Sequence, residues 1–374
     1  MKTMSITIVM IVGLIAAVTT GEITSSTSSP AGSPYIARIG EMNVERAAHQ
    51  ATLLMNGQVL ITGGCAGRGC ELVHRSVEIY DPESRSFQTC SPMTIPRVSH
   101  TATLLRDGSV LVAGGCSGQR ATPSAEIYNV EENRWRPVDD MTEPRCSHVA
   151  VPLLDGRVFI MGGGGGRLGD LATAEVFDPA TSTFSSVGRM RSNHYLATRL
   201  ADGRVLLTGG QSDQGEILAS AEIFNPETGR FETTGDMTVA RVKHAAALLP
   251  DGRVLIIGGS DQRGYNKRFN STEIYDPETG RFSPGPNLRS GRHKIRDAVA
   301  VLPSGALLVG GGAVHPEIYD PEDRVFIPVR GELSGPQMFA TATVLQTGEV
   351  LILGGYDERV RPSKSVWLLQ IIGD

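Results

Sequence analysis

Paired glycines recur along this chain, starting at Gly63, Gly114, Gly162, Gly209, Gly258, Gly310 and Gly354, with gaps of 51, 48, 47, 49, 52 and 44 residues. Each pair closes the same phrase. "MTVARVKHAAALLPDGRVLIIGG" (237–259) is matched by "MTIPRVSHTATLLRDGSVLVAGG" from Met93 and "MTEPRCSHVAVPLLDGRVFIMGG" from Met141. Self-similarity near a period of 50 predicts an array of one repeated supersecondary unit, whatever the length of 374 residues suggests about domain number. Four short strands are legible in each unit. "HAAALL" is the first, and a turn follows at Pro250-Asp251-Gly252. The β-branched "RVLIIGG" is the second, "STEIYDP" the third, and "GRFSP" the fourth, after an Asp-Pro turn. A single four-stranded sheet buries neither face alone, but a ring of such sheets buries each face against a neighbour. The glycines fit this picture: where blades converge, a Cβ has little room and the backbone needs positive φ.

The repeat resembles the kelch motif, especially as found in bacterial secreted kelch proteins and in the central domain of galactose oxidase. The resemblance runs from about Tyr35 to Leu369 and recurs in every unit. It implies an all-β fold, a seven-bladed propeller with four-stranded blades over residues 34–374. The seventh unit has a third strand, "SVWLLQ", but no fourth. "YIARIGEM" before the first unit reads as a fourth strand, so the N-terminal strand is expected to close the ring and remove an exposed edge.

Ahead of the repeats, an uncharged apolar run from Ile6 to Val18 follows Lys2. It is too short to span a membrane and suits the core of a signal peptide, here assigned to residues 1–21, with an uncleaved N-terminal anchor as the alternative. A Ser/Thr/Pro/Gly-rich stretch at 22–33 reads as a flexible tether. The expectation is a secreted, periplasmic or cell-surface protein, not inserted in a membrane after cleavage, and monomeric. The net charge of −5 argues against a nucleic-acid partner. Five cysteines cannot all pair internally. Cys65 and Cys70 flank the Gly-rich loop "CAGRGC" and are the one pair placed to form a small ring; five unpaired thiols are the alternative. No Cys or His spacing suggests a structural metal.

Up-and-down strand order puts the Met-x-x-x-Arg loop and the loop after Gly-Gly at the same end of the propeller. That end is the candidate binding face. Arg46, Arg97, Arg145 and Arg241 recur there, each followed three residues later by His49, His100, His148 and His244. Glu78, Glu126, Glu175, Glu222, Glu273 and Glu317 recur in the third strands. Unit seven has Gln337, Ala340 and Val366 at the three places, losing all three types together. This joint loss favours a structural role: Arg or His pairs with Glu as a polar clamp.

Function is then expected where the repeat breaks. Unit four shortens its opening loop to "MRSNHYLATRL", with Tyr195 at the His place after Arg191 and His194. Unit six lengthens it to "LRSGRHKIRDAVAVL", bringing Arg292, His293 and Arg296. The loop after Gly-Gly in unit five brings Arg263, Tyr265 and Arg268, and unit seven brings Tyr356 and Arg359. These eleven residues are the candidate ligand-binding set, with loop drift at exposed positions as the alternative. Arg forks suit carboxylates or phosphates, and Tyr rings stack on sugars or side chains. A protein or an anionic glycan is the expected partner.

The galactose-oxidase resemblance implies copper held by two Tyr and two His, with one Tyr cross-linked to a Cys. Its Tyr-His step falls on "RCSHVAVPLLDGRVFIMGGGG", where His148 fits but Ser147 replaces the Tyr. This disfavours copper radical chemistry, and the sequence assigns no catalytic residue, cofactor or metal. A non-catalytic binding module is the leading expectation. A carbohydrate-active enzyme, galactose-oxidase-like or sialic-acid-epimerase-like, using the same face is the alternative.

Overall fold

The computed structural model describes residues 33–118, 120–164, 169, 171–212, 214–261 and 267–371. The expected leader and tether lie outside them. Seven four-stranded antiparallel sheets form seven blades. Blade five has the order predicted from its phrase: Ala245–Leu248, Val254–Ile257, Thr272–Asp276, Arg281–Pro284. The first strand of each blade contacts the first strands of both neighbours, so the ring is continuous. One short 3-10 turn, Arg296–Ala298, interrupts the pattern in blade six.

The second strands are buried on both faces because each serves two interfaces. In blade five, Val254 and Ile256 pack with Leu206 and Ile223 of blade four. Leu255 and Ile257, one residue out of phase, pack with Leu307 and Val309 of blade six. Period-two alternation thus becomes alternation between neighbours.

The N-terminal strand closes the ring as expected. Tyr35–Arg46 lies antiparallel to Ser363–Gln370, with Tyr35 opposite Gln370 and Ala37 opposite Leu368. Its Ile36 joins the core shared with blade six and its Met42 the core shared with blade one.

The glycine requirement is specific. Gly114 has φ 60° and Gly115 φ 95°. A Cβ on Gly114 would lie 2.6 Å from the Arg145 carbonyl oxygen and 2.7 Å from His148 Cε1. The space is taken by the Arg–His segment of the next blade. Gly-Gly and Arg-x-x-His are therefore two halves of one inter-blade contact.

The recurring Arg and Glu form a buried clamp within five of the seven blades. Arg241 Nη2 donates to Glu273 Oε1 at 2.8 Å, and its Nη1 donates to the carbonyls of Gly258 and Ser271. The other Glu273 oxygen accepts the Thr238 amide at 2.6 Å. The same set recurs in Arg46–Glu78, Arg97–Glu126, Arg145–Glu175 and Arg292–Glu317. The histidines do something else. His49, His100, His148 and His244 each place Nε2 within 3.0 Å of a threonine hydroxyl on the preceding blade: Thr341, Thr62, Thr101 and Thr208. The clamp tolerates loss of neither charge, because the survivor is buried and unpaired. Glu273→Ala and Arg241→Ala are each expected to cost about 3–5 kcal/mol, read from urea-denaturation midpoints. A loss below about 1 kcal/mol would mean that the ion pair is not holding the blade.

Cys65 pairs with Cys70, Cα–Cα 5.0 Å. Cys116 also pairs with Cys146, Cα–Cα 5.4 Å, tying the Gly-Gly loop of blade two to the opening segment of blade three. Cys90 is a buried free thiol.

Candidate functional site

The two loop types do meet at one end. In six blades the opening segment bridges the residue after Gly-Gly, as in Ala47 with Cys65 and Val242 with Ser260. Just past five of these bridges, all but the blade-four one, stands a residue in the left-handed region, Ala48, Ser99, Ser147, Lys243 and Phe339, and Lys294 holds the same conformation in blade six, with φ between 45° and 60°. Their peptides form an inner ring. The Ser99 amide donates to Ala48 O at 3.0 Å, Ser147 to Ser99 O at 2.8 Å, Lys294 to Lys243 O at 2.8 Å, Phe339 to Lys294 O at 2.9 Å and Ala48 to Phe339 O at 3.1 Å. Left-handed backbone is unfavourable for such residues, and the inter-blade hydrogen bonds offset that cost.

Blade four supplies no member of this ring. Its opening loop is two residues shorter, and no residue from Met190 to Tyr195 has positive φ. His194 falls at the Arg place and keeps the clamp, with Nε2 2.9 Å from Glu222 and Nδ1 3.0 Å from Gly209 O. Tyr195 follows directly, its ring tilted against His244 at 5.7 Å. A cavity of about 390 Å³ opens at this gap, lined by Ser147, Asn193, Tyr195, Gln211, Lys243 and Phe339 among others. Tyr195 is half-buried, and burial pushes its phenol up to about 12, so the hydroxyl keeps its proton. Asn193 is buried, and its Oδ1 has no hydrogen-bond partner among the described residues. Grooves at the opposite end lie between hairpin turns, as at Leu154, Asp202 and Asn225, and recur from blade to blade.

Blade six makes the opposite change. Its longer loop carries Arg296 and Asp297 on the 3-10 turn, paired with each other at 3.2 Å. Arg296 Nη1 reaches the His148 carbonyl of blade three at 2.9 Å. Burial opposes the guanidinium charge, but the neighbouring Asp297 carboxylate outweighs it and holds the group charged. Arg296, Asp297 and Tyr195 therefore feel one another electrostatically within the ring.

The other sequence candidates separate by burial. Arg292 is not a ligand arm: it is fully buried as the blade-six clamp residue. His194 lines the cavity, but both ring nitrogens are engaged within its blade. Tyr356 is buried too and accepts a hydrogen bond from Lys294 Nζ at 2.8 Å. His293 is buried, and desolvation followed by Lys294, Arg268 and Lys243 lowers it to about 3, so it is neutral. Burial and the same basic neighbours lower Lys294 to about 8. Arg268 is paired with Glu358 at 2.6 Å, while the side chains of Arg191 and Arg359 are exposed on the rim. Arg263 and Tyr265 lie outside the described residues. Sequence reading missed Asn193, Ser147 and Phe339 as cavity residues, because what groups them is backbone geometry.

The residues do not fit a copper centre of the galactose-oxidase kind. His148 is buried between blades with Nε2 on Thr101, the same contact its three counterparts make, and Ser147 stands where the Tyr would be. Among the described residues no three His, Cys, Asp or Glu side chains gather as metal ligands.

The kelch motif matches residues 46–94, 97–142, 145–191 and 241–289, just over half of the chain. The chain belongs to the kelch-repeat family. Each matched segment of this kelch propeller begins on a clamp arginine, and the units broken at blades four and six fall outside the matches. No curated protein matches the chain. Among solved structures it is similar to a fungal alcohol oxidase of the AA5 family in complex with copper. The identity is 15%, the TM-score 0.72, and the match covers 91% of this chain and 76% of that one. At that identity the likeness concerns the fold, and activity resides in the site.

Proposed function

We propose that this kelch propeller is an exported binding module whose ligand seats on the loop face, centred on the channel mouth at blade four. The observation that carries the reading is the local break in an otherwise repeated ring. There the repeat gives way to a cavity with Tyr195, Phe339 and Lys243 on its wall. Aromatic surface beside a cation suits a protein side chain or an acidic sugar. Export is supported by the two disulfides, which persist in oxidising compartments.

Tyr195→Ala should weaken binding by roughly thirtyfold, about 2 kcal/mol, as expected for a half-buried aromatic anchor. Arg359→Ala, on the rim, should change affinity little. A glycan array and an affinity pull-down with the wild-type protein identify the ligand, and titration calorimetry compares the variants. Binding that survives Tyr195→Ala unchanged would place the site elsewhere.

One observation favours a second reading, a carbohydrate-active enzyme on the same face: the mutual influence of Tyr195, Arg296 and Asp297 supplies an acid, a base and a carboxylate-binding cation together. In that case Asp297→Asn abolishes turnover while binding survives. In a binding module it changes affinity alone.

A further inference from the structure

At the end opposite the loop face, hairpin turns join first to second and third to fourth strands. Along the ring, the turns between first and second strands cover one another. A Cβ added to Gly108 would meet Met55 Sδ of the preceding blade at 3.3 Å, one on Gly156 would meet Arg106 Cδ at 3.0 Å, and one on Gly203 would meet Leu154 Cδ1 at 2.7 Å. Pro250, Pro303 and Gln346 cover Gly305, Gly348 and Gly57 in the same way. Blade four is the exception. Its residue at this place is Ala201, and a Cβ on Gly252 would meet nothing within 4 Å among the described residues. A groove of about 450 Å³ lies there, where four carboxylates, Asp202, Asp251, Asp276 and Glu278, stand against two arginines, Arg204 and Arg253. Asp202 and Asp251 are close to half exposed although each pairs with the arginine of its own turn, and Glu278 is exposed. The grooves at other turns hold two or three carboxylates. With the strand residues that flank them, the turns at this end carry sixteen Asp and Glu against ten Arg, a balance of −6 in a chain whose whole net charge is −5.

We infer that the turn end docks a second partner, a protein with a basic surface, and that one of its arginines seats over Gly252 in the groove between blades four and five. The inference goes beyond the loop-face reading and does not depend on it. The fold itself shows the form of the seat. Arg106 of blade two lies over Gly156 of blade three, and its Nη2 donates to the Leu154 carbonyl of that turn. Gln346 covers Gly57 and donates to the matching carbonyl of Met55 at 3.2 Å. An arginine from a partner takes the same place over Gly252, with its guanidinium among the exposed carboxylates of the groove. A guanidinium suits the place better than an ammonium, because its flat face covers the glycine while its edges donate to carboxylate oxygens. The acidic turns around the seat attract a basic surface and orient it.

The test fills the seat from within. Ala201→Arg gives blade four the side chain that Arg106 gives blade two, at an exposed position, and should melt no lower than wild type. A library of peptides with one fixed arginine between random residues is selected on the wild-type protein at low ionic strength. The selected peptide should bind Ala201→Arg roughly thirtyfold more weakly and Glu278→Gln roughly fivefold more weakly. Its affinity should fall steeply with added salt. Replacing the fixed arginine by citrulline keeps the shape, removes the charge and needs no protein variant to fold; it should cost roughly thirtyfold. Tyr195→Ala should leave the affinity unchanged. The inference is overturned if no peptide is selected, or if every selected peptide binds folded Ala201→Arg as well as wild type or ignores the citrulline exchange. Loss of binding in Tyr195→Ala would put the peptide on the loop face, which overturns this inference and leaves the loop-face reading standing. A glycan that needs Tyr195, found beside a peptide that needs Ala201, supports both.

Discussion

Acid should unfold this propeller steeply between pH 6.5 and 4. His49 and His148 are lowered to about 3, first by burial and then by the clamp arginines beside them, and His100 and His244 are held well below 6.5 for the same reasons. All four are neutral in the fold and hydrogen-bonded to threonines. Unfolded, each takes up a proton near pH 6.5. Between the two values the unfolded chain binds more protons, so stability is complete above about pH 7.5 and is lost as pH falls through 6.5 toward 3. Each histidine contributes a slope of about 1.4 kcal/mol per pH unit, and four acting together exceed the whole margin of an ordinary domain within about three units. Urea melts at half-unit steps from pH 7.5 to 4.5 measure the slope. His148→Gln, which keeps a side-chain partner for Thr101, should lower it by one histidine's share, about 1.4 kcal/mol per pH unit. A curve flat across that range would show that the imidazoles reach water or find an anion when protonated.

Deleting the closing strand should be still more damaging at neutral pH. A chain beginning at Glu41 loses Ile36 from the core around Trp367 and Leu369, and leaves Val366–Gln370 as an unpaired edge. A buried side chain of this size contributes about 1.5–3 kcal/mol, and the five backbone pairings from Tyr35 to Gly40 go with it. The exposed edge is a template for pairing with another copy. The expected outcome is a broad, low-temperature melt in calorimetry, with concentration-dependent association in sedimentation velocity. Supplying residues 33–46 as a separate peptide should restore the sharp transition. A monomeric truncated chain with unchanged melting would show that blade seven is stable with three strands.

The ring, its blade count and its closing strand were legible in the sequence because each depends on apolar period and glycine placement, which the repeats state seven times. The clamp was legible too, from the loss of Arg, His and Glu together in unit seven. Its partners were only half resolved, since Glu pairs with Arg while His reaches the preceding blade. Arg292 and His194 looked like broken-repeat residues because their loops differ in length. Counting four residues on from Leu288 and Met190 places both at the clamp. The inner ring left no signal in residue type. Ala48, Ser99, Lys294 and Phe339 share only a backbone conformation and a peptide bond to a neighbour. The Cys116–Cys146 bridge was hidden for a related reason: it joins two blades, and thirty residues of sequence separate its ends.

The seam that pairs Tyr35 with Gln370 has a further consequence for how the molecule is handled. Both ends of the described chain leave the ring at one blade, side by side, so the circle has no intrinsic beginning. Any exposed hairpin, such as Pro250-Asp251-Gly252, is topologically as good a starting point as the natural one once the two ends are joined by a short linker. For the same reason a tether on either end suspends the propeller from one point on its circumference.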